Sequence, residues 1–202
     1  MMNGAFQRSP TRPPLPRSDC WKLLVEANRR LPGLLGHGHR VQCYAELLAL
    51  EVGLTRAQRT SLRQAALLHD IGKIFLPSEI LHSRQPLTRR GWALIRLHPK
   101  IGGTFLERLG FQEEVTSAIH HHHEQWNGSG YPHQRSGTEI PLTSRILAVV
   151  DTFDAITTHR PYRPARGYGE ARQELARVAG SQLDPNLVES FLGLAGSLDD
   201  GT

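Results

Sequence analysis

Histidines and aspartates, and the spacing between them, carry most of the chemistry legible in this sequence. There are 11 histidines in 202 residues, and four of them, His120, His121, His122 and His123, are consecutive. His69 and Asp70 stand together at the end of an apolar helical stripe, and a neutral imidazole beside a carboxylate suits a borderline divalent metal. His37 begins another helical pattern. His98 precedes Pro99, which restricts it and predicts a bend. Asp151 and Asp154 lie three apart in the apolar run ILAVVDTFDAI, so at about 100° per residue they share one helix face. A carboxylate on an apolar face is costly to bury unless it is paired or metal-bound. Imidazoles and carboxylates on different helices fit a metal site in the core of a bundle. Four successive histidines cannot all point inward. Two neighbours could straddle one metal, or the run could be a solvated helix end with one packed ring.

The elements that must position these side chains read as helices. A short amphipathic stretch from Asp19, with Trp21, Leu24 and Val25, ends near Pro32-Gly33. Val41, Tyr44, Ala45, Leu48 and Ala49 predict a helix over His37 to Val52, stopped by Gly53. Thr55 caps a third helix with the stripe Leu62, Ala65, Ala66 and Leu68. Residues 71–87 read as a connecting loop. Thr88 caps a helix that bends at His98-Pro99 and resumes through Ile101, Phe105 and Leu109. Another helix carries Val115 and Ile119 into the histidine run. EQWNGSGYPHQRSGTEIP is a Gly/Pro/Asn loop, longer than ordinary connections, which points to function. Leu142 to Thr158 is a strong helix, and two more follow near 167–180 and 185–195. No alternating strand pattern appears. The expectation is an all-α single domain of about seven to eight helices, after a Pro/Arg-rich disordered leader at 1–18 and before a flexible tail at 197–202.

Composition narrows the class. The apolar share of 39% and charged share of 21% suit a folded chain. No run approaches the roughly 18 apolar residues of a membrane span, and no signal core opens the chain, so a cytoplasmic protein is expected. The net charge is +5, from 24 basic and 19 acidic side chains, and only Lys22, Lys73 and Lys100 of the basic ones are lysine. That excess suits an anionic small molecule or a nucleic acid equally. Cys20 and Cys43 form no C-x-x-C and no disulfide framework.

LLHDIGKI, HPKIGG, HHEQWNGSGYP, IPLTSRILAVVDTFDAITTHRPYR and LDPNLVESFL, in that order from about Trp21 to Leu194, resemble the HD-GYP family, a branch of the HD phosphohydrolases acting on cyclic di-GMP. The resemblance implies an HD-type helical bundle, with the catalytic domain at 19–196. It implies a phosphodiesterase that hydrolyses cyclic di-GMP to linear pGpG, GMP or both through a metal-bound hydroxide. It also implies two divalent transition-metal ions, iron or manganese. On the family pattern His37, His69, Asp70 and Asp151 hold one ion, and Asp70, His98, His122 and His123 the other, with Asp70 bridging. Arg40 becomes a structural partner and Asp154 an orienting group. Lys73 is the candidate cation at the reacting phosphate. Tyr131, Arg160 and Arg163 are the candidate substrate contacts, and Gly128 and Gly130 would give the loop unusual backbone angles. The other histidines have no ligand role, His121 being the one expected behind the ligands. The GYP loop implies a diguanylate cyclase (GGDEF) domain as partner; neither polymeric nucleic acid nor a membrane is implied.

The sequence departs from that pattern in three places. Gly33 replaces a Glu that supports a third metal in some members, Asn127 replaces the Asp before Gly-Ser-Gly, and Ser83-Arg84-Gln85 replaces Lys-Pro-Gly. Members usually carry an N-terminal sensory or receiver domain, where only the short leader is expected here. A metal-bearing cyclic di-GMP sensor or interaction module is the alternative reading. An HD phosphohydrolase for another nucleotide is a third, against which the GYP loop argues.

Overall fold

In the computed structural model, which describes residues 17–83, 85–159 and 164–199, the regular elements are helices. They are α1 (Arg17–Arg30), α2 (Leu34–Glu51), α3 (Arg56–Leu68), α4 (Ser78–Leu81), α5 (Arg89–Ile95), α6 (His98–Arg108), α7 (Glu113–His121), α8 (Leu142–Thr157), α9 (Tyr168–Val178) and α10 (Pro185–Asp199). Tighter 3₁₀ turns occupy Ile71–Phe75 and Gly137–Glu139. Among the described residues there is no strand, only an isolated bridge between Ala179 and Leu183. The chain is all-α, as expected, with more helical segments than the pattern suggested. Most of the expected leader lies outside the described residues, and Arg17 and Ser18 already belong to α1. Helix α10 runs through Asp199, so the expected tail lies outside except for its first residues.

Local chemistry sets the helix limits. Thr55 forms a capping box with Gln58: the Thr55 hydroxyl accepts from Gln58 N at 3.3 Å, and Thr55 N donates to Gln58 Oε1 at 2.9 Å. Asp184 accepts from Asn186 N at 3.0 Å at the start of α10, where Pro185 has no N–H to lose. Two connections differ from expectation. The stretch 71–87 contains the 3₁₀ turn and α4 and is not a plain loop. The helix expected to bend at Pro99 is two helices, because proline fits the first turn of α6 but cannot continue α5.

The core is the shared apolar face of α2, α3, α7 and α8. Val41, Ala45 and Leu48 of α2, Leu62 and Ala65 of α3, Ala118 and Ile119 of α7, and Ile146 and Val150 of α8 are all fully buried. Ser144 Oγ donates to the Ala118 carbonyl at 3.2 Å and ties α8 to α7. Two glycines set the closest approaches. A Cβ at Gly38 would stand 2.9 Å from the Leu67 carbonyl oxygen, so this glycine lets α2 lie against the end of α3. A Cβ at Gly72 would overlap the His98 carbonyl, so Gly72 seats the 3₁₀ turn directly on α6. The first contact brings His37 beside His69, and the second brings Asp70 beside His98. Gly72→Ala should therefore cost about 1–3 kcal/mol of stability by overpacking against backbone that cannot rotate away; urea unfolding of both proteins at equal metal loading measures it.

Candidate metal centre

Three helix ends present an imidazole by the same hydrogen bond. His69 follows α3, His98 follows α5 and His122 follows α7. Each donates its Nδ1–H to the carbonyl three residues earlier: Ala66 at 2.8 Å, Ile95 at 2.7 Å and Ile119 at 2.7 Å. The last carbonyls of a helix have no donor within it. At Ile95 the residue four ahead is Pro99, which has no N–H. These hydrogen bonds fix the Nδ1–H tautomer and leave Nε2 bare toward the centre. His37, in the first turn of α2, reaches the same state by donating Nδ1–H to Asp154 Oδ2 at 2.7 Å. Asp154 is held in turn by Arg40, through Nε at 2.6 Å and Nη2 at 3.0 Å.

The bare nitrogens crowd together. Nε2 of His37 lies 3.1 Å from that of His69, and Nε2 of His98 lies 3.3 Å from that of His122. Two lone pairs at that distance repel unless a proton or cation lies between them. Asp70 stands between the pairs. Its Oδ1 is 3.2 Å from His98 Nε2, and its Oδ2 is 3.7 Å from His69 Nε2 and 3.9 Å from His37 Nε2. Asp151 Oδ1 closes one side, 3.2 Å from His37 Nε2. The His123 ring closes the other, 4.1 Å from His122 and 4.9 Å from His98. Donor atoms of Asp70, His98, His122 and His123 all lie within 4.8 Å of one another, and so do those of His37, His69 and Asp70. The structure thus gathers every candidate ligand around Asp70.

The electrostatics suit a cation. Burial works to lower the His37 pKa, but the carboxylates of Asp151 and Asp154 outweigh it and push it up to about 9. The centre therefore favours positive charge at that nitrogen. Burial lowers His69 and His122, and takes His123 down to about 3, so these rings are neutral and able to ligate. Burial alone would raise Asp70 and Asp151. Lys73 holds Asp70 ionised instead, and His37, carrying positive charge, does the same for Asp151. A preformed cluster of imidazoles and ionised carboxylates without thiolates fits iron, manganese or zinc.

His120 and His121 point elsewhere. His120 Nε2 is 2.9 Å from Glu107 Oε1. His121, expected behind the ligands, hydrogen-bonds the Ser117 carbonyl and packs its ring 5.0 Å from His133. Lys73 Nζ sits 2.6 Å from Asp70 Oδ2 and lines a cavity of about 520 Å³. His37, Asp70, His123, Tyr131 and Asp151 share that wall. The Tyr131 ring lies 5.0 Å from the His123 ring and 5.3 Å from the Arg96 guanidinium, and burial keeps its phenol protonated. Arg160 and Arg163 lie outside the described residues.

Two side chains escaped the sequence reading. One is Arg96 over Tyr131. The other is Glu124, fully buried, whose carboxylate accepts from His133 N at 2.7 Å and Arg135 N at 3.1 Å and so folds the long loop back on itself. An acid directly after two ligands was the available signal for Glu124. Gly128 has the expected positive φ, 79°, but Gly130 does not; it is needed because a Cβ there would overlap Glu124 and Gln125. The loop is also pinned from outside, Trp126 N to Gln182 O at 3.0 Å and Asn127 N to Ser181 O at 2.9 Å.

A family profile described as HD domain matches residues 24–187. The 3'3'-cGAMP-specific phosphodiesterase 2 of Vibrio cholerae is 35% identical over 188 residues, covering 87% of this chain and 35% of that protein. The cyclic di-GMP phosphodiesterase of Thermotoga maritima is 36% identical over 171 residues, covering 81% of this chain and 45% of that protein. A crystal structure of a cyclic GMP-AMP specific phosphodiesterase from V. cholerae superposes with a TM-score of 0.69 at 24% identity, over 89% of this chain and 48% of that one. The chain thus spans less than half the length of each of these relatives.

Metal content should follow the geometry. Asp70→Ala should lose most bound metal, because its two oxygens face both clusters, whereas His120→Ala should keep it. Asp154→Ala should weaken metal affinity about 10- to 100-fold by freeing the His37 tautomer. Elemental analysis and metal titration of the three variants check both statements, and equal metal content in Asp70→Ala and His120→Ala refutes the first.

Proposed function

Because the chain belongs to the HD domain family, we propose that it is a metal-dependent phosphodiesterase that hydrolyses cyclic di-GMP to linear pGpG, GMP or both. The observation that carries this reading is the pair of donor clusters sharing Asp70 at the wall of a cavity roofed by Tyr131. His37, His69, Asp70 and Asp151 would hold one ion, and Asp70, His98, His122 and His123 the other. Gly33 offers no ligand for a third. Two such ions supply Lewis acidity at the phosphoryl oxygens and lower the pKa of water held beside them.

The chain's own groups do the rest. Lys73 places a cation at the cavity wall beside Asp70, where phosphate oxygens must come. Tyr131 offers a flat face and a protonated hydroxyl to a base. Arg160 and Arg163 are assigned to phosphate or base on the sequence motif, since the guanidinium fork suits either. The outer part of the loop, with Ser129 and Gln134 exposed, is the surface we assign to a diguanylate cyclase domain. Among the described residues no helix is long and apolar enough to cross a membrane, and we place the protein in the cytoplasm with its substrate.

The test is turnover of cyclic di-GMP and 3'3'-cGAMP by protein purified anaerobically, with metals counted. Two ions per chain and preferred turnover of cyclic di-GMP are expected; binding without turnover at full occupancy would make the protein a sensor. Lys73→Ala should keep both ions yet lose about 100- to 1000-fold in rate, the usual value of one charge-stabilising contact. Arg160→Ala should raise KM more than it lowers kcat. Unchanged kinetics in the Lys73 variant would return that residue to a structural role beside Asp70.

A further inference from the structure

A second cavity, of about 400 Å³, adjoins the same centre. It shares His37, Asp70 and Lys73 with the first, and its own wall comes from the α1–α2 turn (Leu31, Pro32), the start of α2 (Gly36, Arg40) and the end of α8 and beyond (Asp154, His159). Both volumes fall within the roughly 300–1,000 Å³ of ligand pockets. The two cavities meet where the reacting phosphate must sit. Each phosphodiester of a cyclic dinucleotide carries a nucleoside on both of its ester oxygens, so a cyclic dinucleotide held at the centre needs room for two arms.

We propose that the second cavity seats the second base of the cyclic dinucleotide, so that the substrate straddles the metal centre with one base under Tyr131 and the other beside Arg40. The proposal rests on the phosphodiesterase reading above. The chemistry of the wall fits a purine. Leu31 and Pro32 give an apolar surface for the ring. Arg40 spends Nε and one Nη2 hydrogen on Asp154, which leaves its outer N–H groups for an acceptor edge such as O6 and N7. Gly36 keeps the space open: a Cβ there would meet only Arg40 Nη1, at 3.6 Å. A glycine inside a helix is otherwise a disadvantage of about 1 kcal/mol relative to alanine. Larger residues at position 36 therefore favour the helix while filling the cavity.

The test is the series Gly36→Ala, Gly36→Leu and Gly36→Phe, each with metals counted. Calorimetry gives the affinity for a non-hydrolysable phosphorothioate of cyclic di-GMP. Kinetics give kcat/KM for cyclic di-GMP relative to bis(p-nitrophenyl) phosphate, a diester too small to need either base seat. The expected result is a loss graded with side-chain size, reaching about 10- to 200-fold for Gly36→Phe in both affinity and relative kcat/KM, the range that a steric change in a pocket commands. Wild-type affinity and kinetics in Gly36→Phe overturn the proposal. So does an equal loss on the small diester, which would place the effect at the metals. Wild-type protein that cleaves the small diester but neither binds nor cleaves cyclic dinucleotides overturns the reading of cyclic dinucleotides as its substrates.

Discussion

The hydrogen bond from an imidazole Nδ1 to a carbonyl at a helix end is the interaction on which the centre depends. An imidazole can ligate a metal only through a nitrogen that carries no proton, and a free ring exchanges its two tautomers. At His69, His98 and His122 the backbone makes that choice. The helix supplies an acceptor it cannot use, and the ring is locked with Nε2 outward. The cost of an unpaired buried carbonyl and the cost of an undefined tautomer are removed together. The bundle then needs to bring these helix ends to one point, and the close contacts of Gly38 with Leu67 and Gly72 with His98 set two of the approaches.

Around this frame the buried charges balance by contact. Asp70 and Asp151 are carboxylates set into the cavity wall, tolerable because imidazoles and Lys73 face them from several elements. Asp154 is matched by Arg40 and serves as the anchor for His37, which starts its helix and has no helix-end carbonyl to use. One ring is thus set by a side-chain pair and three by backbone, and all present the same atom to the same place.

Much of this was legible in the sequence, for reasons that differ by residue. The stripes of α2, α3 and α8 repeat at helical spacing, so their apolar faces and the acids interrupting them stood out. The ligand types were visible because His69-Asp70 and Asp151 interrupt apolar runs. Within the histidine run, residue type said nothing about which rings face inward, and only the family motif did. The physical reason is a matter of one residue: His122 reaches back three positions and points inward, while His121 reaches back four, to Ser117, and points to the loop. The 3₁₀ turn after Asp70 and the break before His98 depend on tertiary contacts of Gly72 and on the missing N–H of Pro99, which helical periodicity does not register. Glu124 was missed because its partners are backbone amides nine and eleven residues away, which no side-chain pattern announces.

The loop that carries Tyr131 is fastened to Ser181 and Gln182, far along the chain from Trp126 and Asn127. A ribosome makes a protein from its N-terminus, and contacts distant in sequence form only when both ends exist. Every candidate ligand, from His37 to Asp151, is synthesised before that turn. The candidate ligands around Asp70 are therefore complete in the chain before the residues that fasten the roof of the cavity, and that fastening is the last part of the site to be supplied.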